Sequence, residues 1–244
     1  MVNKTTFKQY LLEAEMPAAK SQKDLRASIV NGHFTKDGSK LKVTGDFDFF
    51  NNQLKSLEGC PQTVGGSFSC GYNQLKSLEG CPQTVGGSFY CSYNHLESLE
   101  GCPQTVGRDF YCSDNQLKSL EGCPQIVGGD FNCSRCGSNQ LKSLEGCPQK
   151  VHGYFNCGNN PSLTSLARIN FYVHEINGAD GADFEGCPIK SNVLGILKIR
   201  NLKKVAFDDK QLEEIMNKHL PMGNIAECMD ELLDAGYSKE YCKW

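Results

Sequence analysis

A unit of 21 residues recurs almost unchanged through the middle of this 244-residue chain. The asparagines that open successive units are spaced 21 positions apart, with one three-residue insertion after the fourth: Asn52, Asn73, Asn94, Asn115, Asn139 and Asn160. A repeat period in the twenties is typical of a solenoid, in which each unit buries its apolar edge against its neighbours. The repeat therefore predicts an elongated architecture that offers a surface for binding rather than a catalytic cleft.

The segment Val85–Leu99 illustrates the local structure that each unit predicts. Phe89 and Cys91 alternate with Tyr90, which is the period-2 pattern of a short strand with one buried face. Asn94 follows three residues after the cysteine, and two leucines come next. We also expect strands at three less regular places: Phe47–Phe49, Phe171–Val173 and Leu197–Ile199.

The order of these residues resembles the leucine-rich repeat pattern L-x-L-x-x-N-x-L-x-x-L, with Phe and Cys in the two strand positions. The short period is most similar to the short bacterial class of that family, and the resemblance covers about residues 41–205. It implies an α/β repeat solenoid of about eight stacked units, with a parallel sheet on the concave face and an irregular convex side. It also implies that the six asparagines point inward and satisfy backbone groups between units.

Both flanks are predicted to form helical caps, over residues 1–40 and 206–244, because a solenoid exposes an unpaired sheet edge at each end. Four segments carry the pattern of a helix start: Thr6-x-x-Gln9, Ser21-x-x-Asp24, Asp208-x-x-Gln211 and Asn224-x-x-Glu227. One face of the third helix collects the apolar residues Leu212, Ile215, Met216 and Leu220.

Composition excludes several functional classes. The net charge is −3, with 28 acidic and 25 basic residues, so there is no basic footprint for nucleic acid. No apolar run approaches the length of a membrane span or a signal peptide, and we expect a cytoplasmic protein without a membrane partner. The 14 cysteines follow the repeat, which favours small buried hydrophobic residues in a reducing compartment over a disulfide framework.

The units are near-copies, so their variable positions identify a candidate binding surface without any alignment. Most variable positions fall on the outward-facing residues of the strands, which the resemblance places on the concave face. Tyrosine contributes a large contact area at low entropic cost, so we predict a protein-binding surface there, although exposed positions also drift when nothing constrains them. The predicted partner-binding residues are Tyr72, Tyr90, Tyr93, Arg108, Asp109, Tyr111, Asp114, Asp130, Asn132, Arg135, Tyr154 and Asn156.

Two cysteine motifs are candidates for metal binding, redox activity or catalysis. The three-residue insertion creates Cys133-x-x-Cys136, a spacing that occurs in zinc and redox sites, but the sequence has no second cysteine pair to complete such a site. The insertion is explained as well by a loop that offers Arg135 to a partner, or by a neutral insertion. Cys228-Met-Asp230 resembles the catalytic Cys-x-Asp of bacterial leucine-rich-repeat ubiquitin ligases, whose large helical domain this sequence does not show beyond Val205. We expect no enzyme, no cofactor and no metal ion.

The segments that flank the repeats indicate the kind of organism and partner for which the protein functions. Four segments resemble uncharacterised tailed-phage proteins that carry similar repeats: Thr6–Ala14, Leu197–Val205, Glu213–Leu220 and Cys228–Gly236. This resemblance implies a phage protein that binds and inhibits a bacterial host protein of defence or metabolism by occlusion. A cysteine-rich, mildly acidic repeat protein is also similar to ribonuclease inhibitor, which acts by occlusion. The alternatives are a protein that binds a small ligand such as a nucleotide, and a structural module that assembles into a homo-oligomer.

Overall fold

Every turn of the chain in the computed structural model contributes two short strands, one to each of two sheets that run along the molecule. The structure describes residues 34–37, 40–58, 60–135 and 141–243. The helices predicted within residues 1–40 therefore lie outside the described residues, as do Asn139 and Cys136.

The first sheet, called the Val sheet, is named for the valine that ends six of its eight strands. Its strands in spatial order are β1 (Phe34–Asp37), β2 (Lys40–Val43), β4 (Thr63–Val64), β6 (Thr84–Val85), β8 (Thr105–Val106), β10 (Ile126–Val127), β12 (Lys150–Val151) and β14 (Glu175–Ile176). The pairing of β1 with β2 is antiparallel, and the pairings beyond β2 are parallel. This sheet was not predicted, because two-residue strands are too short to show a period of two in the sequence.

The second sheet, called the Phe sheet, contains the strands that the Phe-x-Cys pattern predicts. Its strands in spatial order are β3 (Phe47–Asp48), β5 (Phe68–Ser69), β7 (Phe89–Tyr90), β9 (Phe110–Tyr111), β11 (Phe131–Asn132), β13 (Phe155–Asn156), β15 (Ala182–Asp183) and β16 (Val205–Ala206). All of its pairings are parallel and in register with the repeat. The predicted repeat solenoid of about eight turns is therefore confirmed.

The core between the sheets consists of columns of like residues. A continuous column of phenylalanine rings runs the length of the described solenoid, with neighbouring centroids 5.2 to 6.3 Å apart. The cysteines of the Phe-x-Cys position form a second column, and burial raises the pKa of the Cys70 and Cys91 thiols. The described cysteines are free thiols, as predicted, and the buried ones are packed as small apolar residues.

The repeated asparagines connect each turn to the one before it. The Asn94 amide nitrogen donates to the carbonyl oxygens of Cys70 at 3.0 Å and Cys91 at 3.1 Å, while its oxygen accepts from the Leu75 N–H at 2.9 Å. Asn73 and Asn115 repeat this arrangement one turn away on either side. Each buried asparagine therefore satisfies backbone groups of two turns at once, as predicted.

In four turns the corner after the Val-sheet strand begins with a glycine, Gly65, Gly86, Gly107 or Gly128, and this glycine permits a close approach between turns. A Cβ atom on Gly86 would lie 2.3 Å from the Gly65 carbonyl oxygen, and one on Gly107 would lie 2.1 Å from the Gly86 oxygen. Neither contact is sterically tolerable, so the first glycine of the corner allows adjacent turns to stack.

Two of the predicted strands are wrong. The segment predicted as strand Phe171–Val173 instead belongs to a one-turn helix, α1 (Ile169–Tyr172), and Leu197–Ile199 overlaps a 3-10 helix at Leu194–Lys198. Short apolar runs do not distinguish a strand from a buried helical turn, and here the strands lie a few residues further along the chain, in β14, β15 and β16.

Two helices follow the last strand. Helix α2 (Lys210–His219) begins at Asp209, one residue later than predicted, because the Asp209 carboxylate accepts the Leu212 N–H at 3.1 Å. Helix α3 (Ile225–Asp234) begins at Asn224 as predicted. The predicted apolar face of α2 is buried: Leu212, Ile215, Met216 and Leu220.

Helix α2 supplies side chains that cover the last strand of the Phe sheet. The Asn217 amide group accepts from the Val205 N–H and donates to the Val205 carbonyl, both at 2.8 Å. The Glu213 carboxylate accepts from the Phe207 N–H at 2.9 Å. In the other strands of the sheet, the equivalent backbone groups pair with the following turn. The Asn217 and Glu213 side chains therefore replace the hydrogen bonds that a further strand would make.

We predict that Asn94→Ala destabilises the protein by about 3 kcal/mol, because each buried backbone group left unpaired costs about 1–3 kcal/mol. Equilibrium denaturation by urea measures the effect. Asn52→Ala is the matched control in the half-buried first position of the same series, where the side-chain amide donates to the Phe50 carbonyl and to no other described group, and it should cost less than about 1 kcal/mol. Equal losses from the two variants would contradict the bridging role.

We predict that Asn217→Ala exposes the edge of the Phe sheet at β16. Hydrogen exchange of the Val205 amide should accelerate at least about tenfold, because an opening free energy lower by about 1.4 kcal/mol changes the equilibrium tenfold. Asn217→Asp keeps the acceptor for this N–H and should give an intermediate rate. Unchanged exchange in both variants would show that the helix does not cap the sheet.

Candidate functional site

The outer face of the Phe sheet, which carries the residue after each strand phenylalanine, holds most of the predicted partner-binding residues. Strand register places one such residue above another in a single column: Asp48, Ser69, Tyr90, Tyr111, Asn132 and Asn156. Consecutive members lie one strand spacing apart, about 4.8 Å. Differences between turns that look scattered in the sequence therefore become neighbouring groups on one surface.

A second column on this face has a structural role. The Asp109 carboxylate accepts the N–H of Asp130 at 2.9 Å, and the Asp130 carboxylate accepts the N–H of Tyr154 at 2.8 Å. Ser67 and Ser88 make the same contact with their hydroxyl groups. From Ser67 to Asp130, this column therefore carries side chains whose oxygen reaches the next turn, and each of the two aspartates holds a backbone amide with one oxygen.

A third column has a left-handed backbone and lies just before an inward asparagine, except at Arg135, where the three-residue insertion intervenes. Asp114 and Arg135 adopt positive φ values there, and so do Tyr72 at 54° and Tyr93 at 57°. This conformation costs a residue other than glycine about 1–2 kcal/mol, and Asn or Asp tolerate it better than bulky side chains do. Two aromatic residues held in a costly conformation point to a role beyond packing.

The aromatic side chains of these columns enclose a groove of about 650 Å³ over the first four turns, which we call the aromatic groove. Along one side lies the Phe50–Tyr72–Tyr93 stack, in which the Tyr72 and Tyr93 rings stack at a centroid distance of 4.1 Å and the Phe50 ring packs on Tyr72 at 4.9 Å, tilted by 54°. Tyr90 and Tyr111 stack at 5.3 Å with nearly parallel rings. The remaining lining residues are small, acidic or buried: Asp46, Phe47, Asp48, Ser67, Ser69, Gly71, Ser92 and Ser113.

The local field of this face is negative. Burial, together with the nearby Asp109 and Asp130 carboxylates, raises the pKa of the Tyr111 phenol to about 12. A hydrogen bond with Tyr72, followed by the Asp114 charge, raises the pKa of Tyr93. Negative neighbours oppose a further negative charge, so Tyr93 and Tyr111 stay neutral donors over the whole physiological range.

The structure separates the predicted residues into two groups. Tyr72, Tyr90, Tyr93 and Tyr111 line the aromatic groove. The others surround it or lie further along the same face: Arg108, Asp109, Asp114, Asp130, Asn132, Arg135, Tyr154 and Asn156. Within the second group, the Asn132 and Asn156 oxygens accept backbone N–H groups two residues ahead, at 2.9 Å in each case.

The sequence analysis placed only the four tyrosines at the site and missed the other groove residues, among them Asp46, Asp48 and Phe50. Asp46, Asp48 and Phe50 belong to the first turn, whose sequence departs from the repeat. Extending the 21-residue register back from Ser67, Ser69 and Gly71 would have found them.

The two cysteine motifs occupy different environments. The Cys133 thiol is buried, with its sulfur 2.9 Å from the Cys157 sulfur. Cys228 is buried beside the Met216 sulfur at 3.8 Å, and burial raises its pKa to about 12, which leaves a neutral thiol at pH 7. No group of three His, Cys, Asp or Glu side chains in the described part of the chain is placed to hold a metal ion.

The fold and site define a parallel β-solenoid repeat protein with an aromatic groove on one sheet. Comparison with known protein families, with curated proteins and with solved structures finds no match to this chain. Among the described residues, none of the helices is both long enough and apolar enough to cross a membrane.

We predict that Tyr111→Phe makes the protein less sensitive to alkali. The folded-state pKa of about 12 exceeds the reference value of 10.0, so the stability that the neutral phenol contributes is present below pH 10 and is lost as the pH rises toward 12. Urea denaturation between pH 9 and pH 12 should show a smaller decline for the variant. An identical decline in both proteins would contradict the raised pKa.

Proposed function

We propose that this chain is a non-enzymatic binding protein that engages a partner protein through the outer face of the Phe sheet. The observation that carries the proposal is the aromatic groove, where Tyr72, Tyr90 and Tyr93 remain 37% to 47% exposed although they stack on other rings. Exposed, pre-stacked tyrosines lose little entropy on binding and are frequent energetic centres of protein interfaces.

The backbone around the groove supports a pre-formed site. The asparagine bridges and the side-chain oxygens of Asp46, Ser67 and Ser88 fix the turns that carry the aromatic residues. A rigid surface binds without a further ordering cost, which favours tight association. The left-handed backbone of Tyr72 and Tyr93 is a cost to folding that a binding role would explain.

The nature of the partner follows only from the sequence resemblances. Likeness of the flanks to tailed-phage proteins, and of the repeat to leucine-rich repeats, favours a protein of the bacterial host cytoplasm. In that setting the protein would inhibit by occlusion, with the Phe sheet covering an active site or an assembly surface of a defence or metabolic protein.

A second candidate function is the binding of a small ligand such as a nucleotide. The groove volume of about 650 Å³ favours it, since ligand pockets usually span ~300–1,000 Å³. End-to-end assembly is a third candidate, and the cover that Asn217 and Glu213 place on the last strand argues against it at that end.

We predict that Tyr90→Ala/Tyr111→Ala abolishes capture of a stoichiometric protein from bacterial lysate by the reduced, immobilised chain. Loss of two buried aromatic anchors should weaken binding by at least about 4 kcal/mol, or about a thousandfold. Quantitative pull-down followed by mass spectrometry measures the loss.

Phe171→Ala is the matched control, because Phe171 is 62% exposed but lies on α1, outside the groove. Its partner recovery should equal that of the unmodified protein. If the same protein is recovered with the double variant, the groove is not the binding surface. If no protein is captured by any form, the proposal of a stable protein partner fails.

A further inference from the structure

The second turn leaves a gap in the outer face of the Phe sheet. Its residues in and beside strand β5, Ser67, Ser69 and Gly71, are all small, although Tyr72 of the same turn is large. In the column of Ser69, the turns on either side carry larger side chains. Register places Ser69 directly between Asp48 of the first turn and Tyr90 of the third. The result is a slot one turn wide, which runs along the strand direction across the groove.

One wall of the slot is the face of an aromatic ring. Tyr111 stacks on Tyr90 at 5.3 Å, with an angle of 12° between the ring planes. The next position in the column on the opposite side is Ser69, which has no ring, so that face of Tyr90 is left open toward the slot. Two strand spacings, about 10 Å, separate the Tyr90 and Asp48 backbones, which leaves room for one planar group against the ring.

The opposite wall is acidic. One oxygen of Asp48 accepts the Phe50 N–H at 2.8 Å, and one oxygen of Asp46 accepts the Ser67 N–H at 2.6 Å. The second oxygen of each carboxylate accepts no hydrogen bond from the described residues. No Lys or Arg lies among the residues that line the groove, so the charge of this wall is not compensated within it.

We propose that this slot receives the guanidinium group of an arginine carried by an extended segment of the partner protein. The inference rests on the proposed function and names the chemistry of what the groove recognises. A guanidinium is planar, stacks on an aromatic face and donates two parallel hydrogen bonds to a carboxylate. Tyr90 supplies the face on one side of the gap, and the Asp48 carboxylate supplies a compensating negative charge on the other side. The N–H groups point along the guanidinium plane, so they donate to acceptors at the rim of the slot rather than across it.

Lysine fits the slot less well. An ammonium group is a compact, strongly hydrated charge that neither stacks nor donates in a planar fork. The slot runs between the Phe50–Tyr72–Tyr93 stack and the Asp46 side of the groove, so the flanking residues of an extended segment can lie across it and contact the same sheet.

The first test is an NMR titration of the protein labelled at its tyrosine rings, with three capped amino acids as probes. N-acetyl-arginine methylamide should shift the Tyr90 ring signals and bind at least fivefold more tightly than the lysine analogue. The citrulline analogue has the same shape without the charge and should not bind. Equal affinity for arginine and citrulline would overturn the role of the acidic wall.

Two substitutions test the slot itself. Ser69→Tyr continues the Tyr90–Tyr111 column by one ring and should abolish arginine binding, while Asp48→Asn should weaken it at least tenfold. Thr105→Tyr introduces the same side chain at an exposed position of the Val sheet, away from the groove, and should leave binding unchanged. If the Ser69→Tyr variant binds the arginine probe with full affinity, the arginine binds outside the slot and the proposal is wrong.

The source of the arginine is tested with a nine-residue Gly-Ser peptide that carries one central arginine. At least tenfold tighter binding than the capped amino acid supports an extended protein segment, and equal affinity would mean that the slot takes free guanidinium compounds instead. Sedimentation of the protein alone tests a second copy as the donor. Dimerisation that Arg135→Ala abolishes would replace the partner protein with another copy of this chain.

The inference and the proposed function fail in different ways. If Tyr90→Ala/Tyr111→Ala loses the captured protein but Ser69→Tyr retains it, the groove binds a protein and the arginine slot is wrong. If arginine binds as described while no protein is captured by any form, the slot exists but the proposed function is wrong.

Discussion

The side-chain amides of the inward asparagines are the interaction on which the rest of this structure depends. Strands of two residues cannot hold a sheet together by their own ladder, and each turn would otherwise leave backbone groups unpaired where it bends away from the strand. Asn73, Asn94 and Asn115 each bond to two turns, so they fix the turn-to-turn register as well as satisfying the bend. The close approach at Gly86 and Gly107 fixes the same register from the Val side of each turn.

A fixed register turns sequence differences between repeats into local geometry. Phe, Val, Leu and Cys positions are constrained because each packs on its own copy above and below. Outward positions are free to differ, and a tyrosine in one turn then stacks on a tyrosine in the next, while a serine in the turn before leaves an opening. The aromatic groove and its slot are therefore properties of the order of repeats rather than of any single repeat.

The sequence predicted the solenoid, the Phe-x-Cys strands, the role of Asn94 and the apolar face of α2, because each of these follows from a pattern that repeats or has a strong period. It did not predict the Val sheet, since Thr84–Val85 is too short to show a period, and it misplaced strands near Phe171, where the repeat degenerates.

At the site, the tyrosines were found as variable outward residues. Asp48 and Phe50 were missed because the first turn departs from the repeat, and the stacking that makes a groove depends on rotamers that spacing does not specify. The resemblances to leucine-rich repeats and to phage proteins stay predictions.

The central claim is that the outer face of the Phe sheet, and not the Val sheet, meets a partner protein. Photo-crosslinking tests it most directly, with p-benzoyl-phenylalanine placed at Asn132 beside the groove or at Thr105 on the exposed face of the Val sheet. After irradiation in bacterial lysate, the account predicts one dominant crosslinked protein from the Asn132 position and none from the Thr105 position. Crosslinks of equal yield from both positions, or from Thr105 alone, would contradict it.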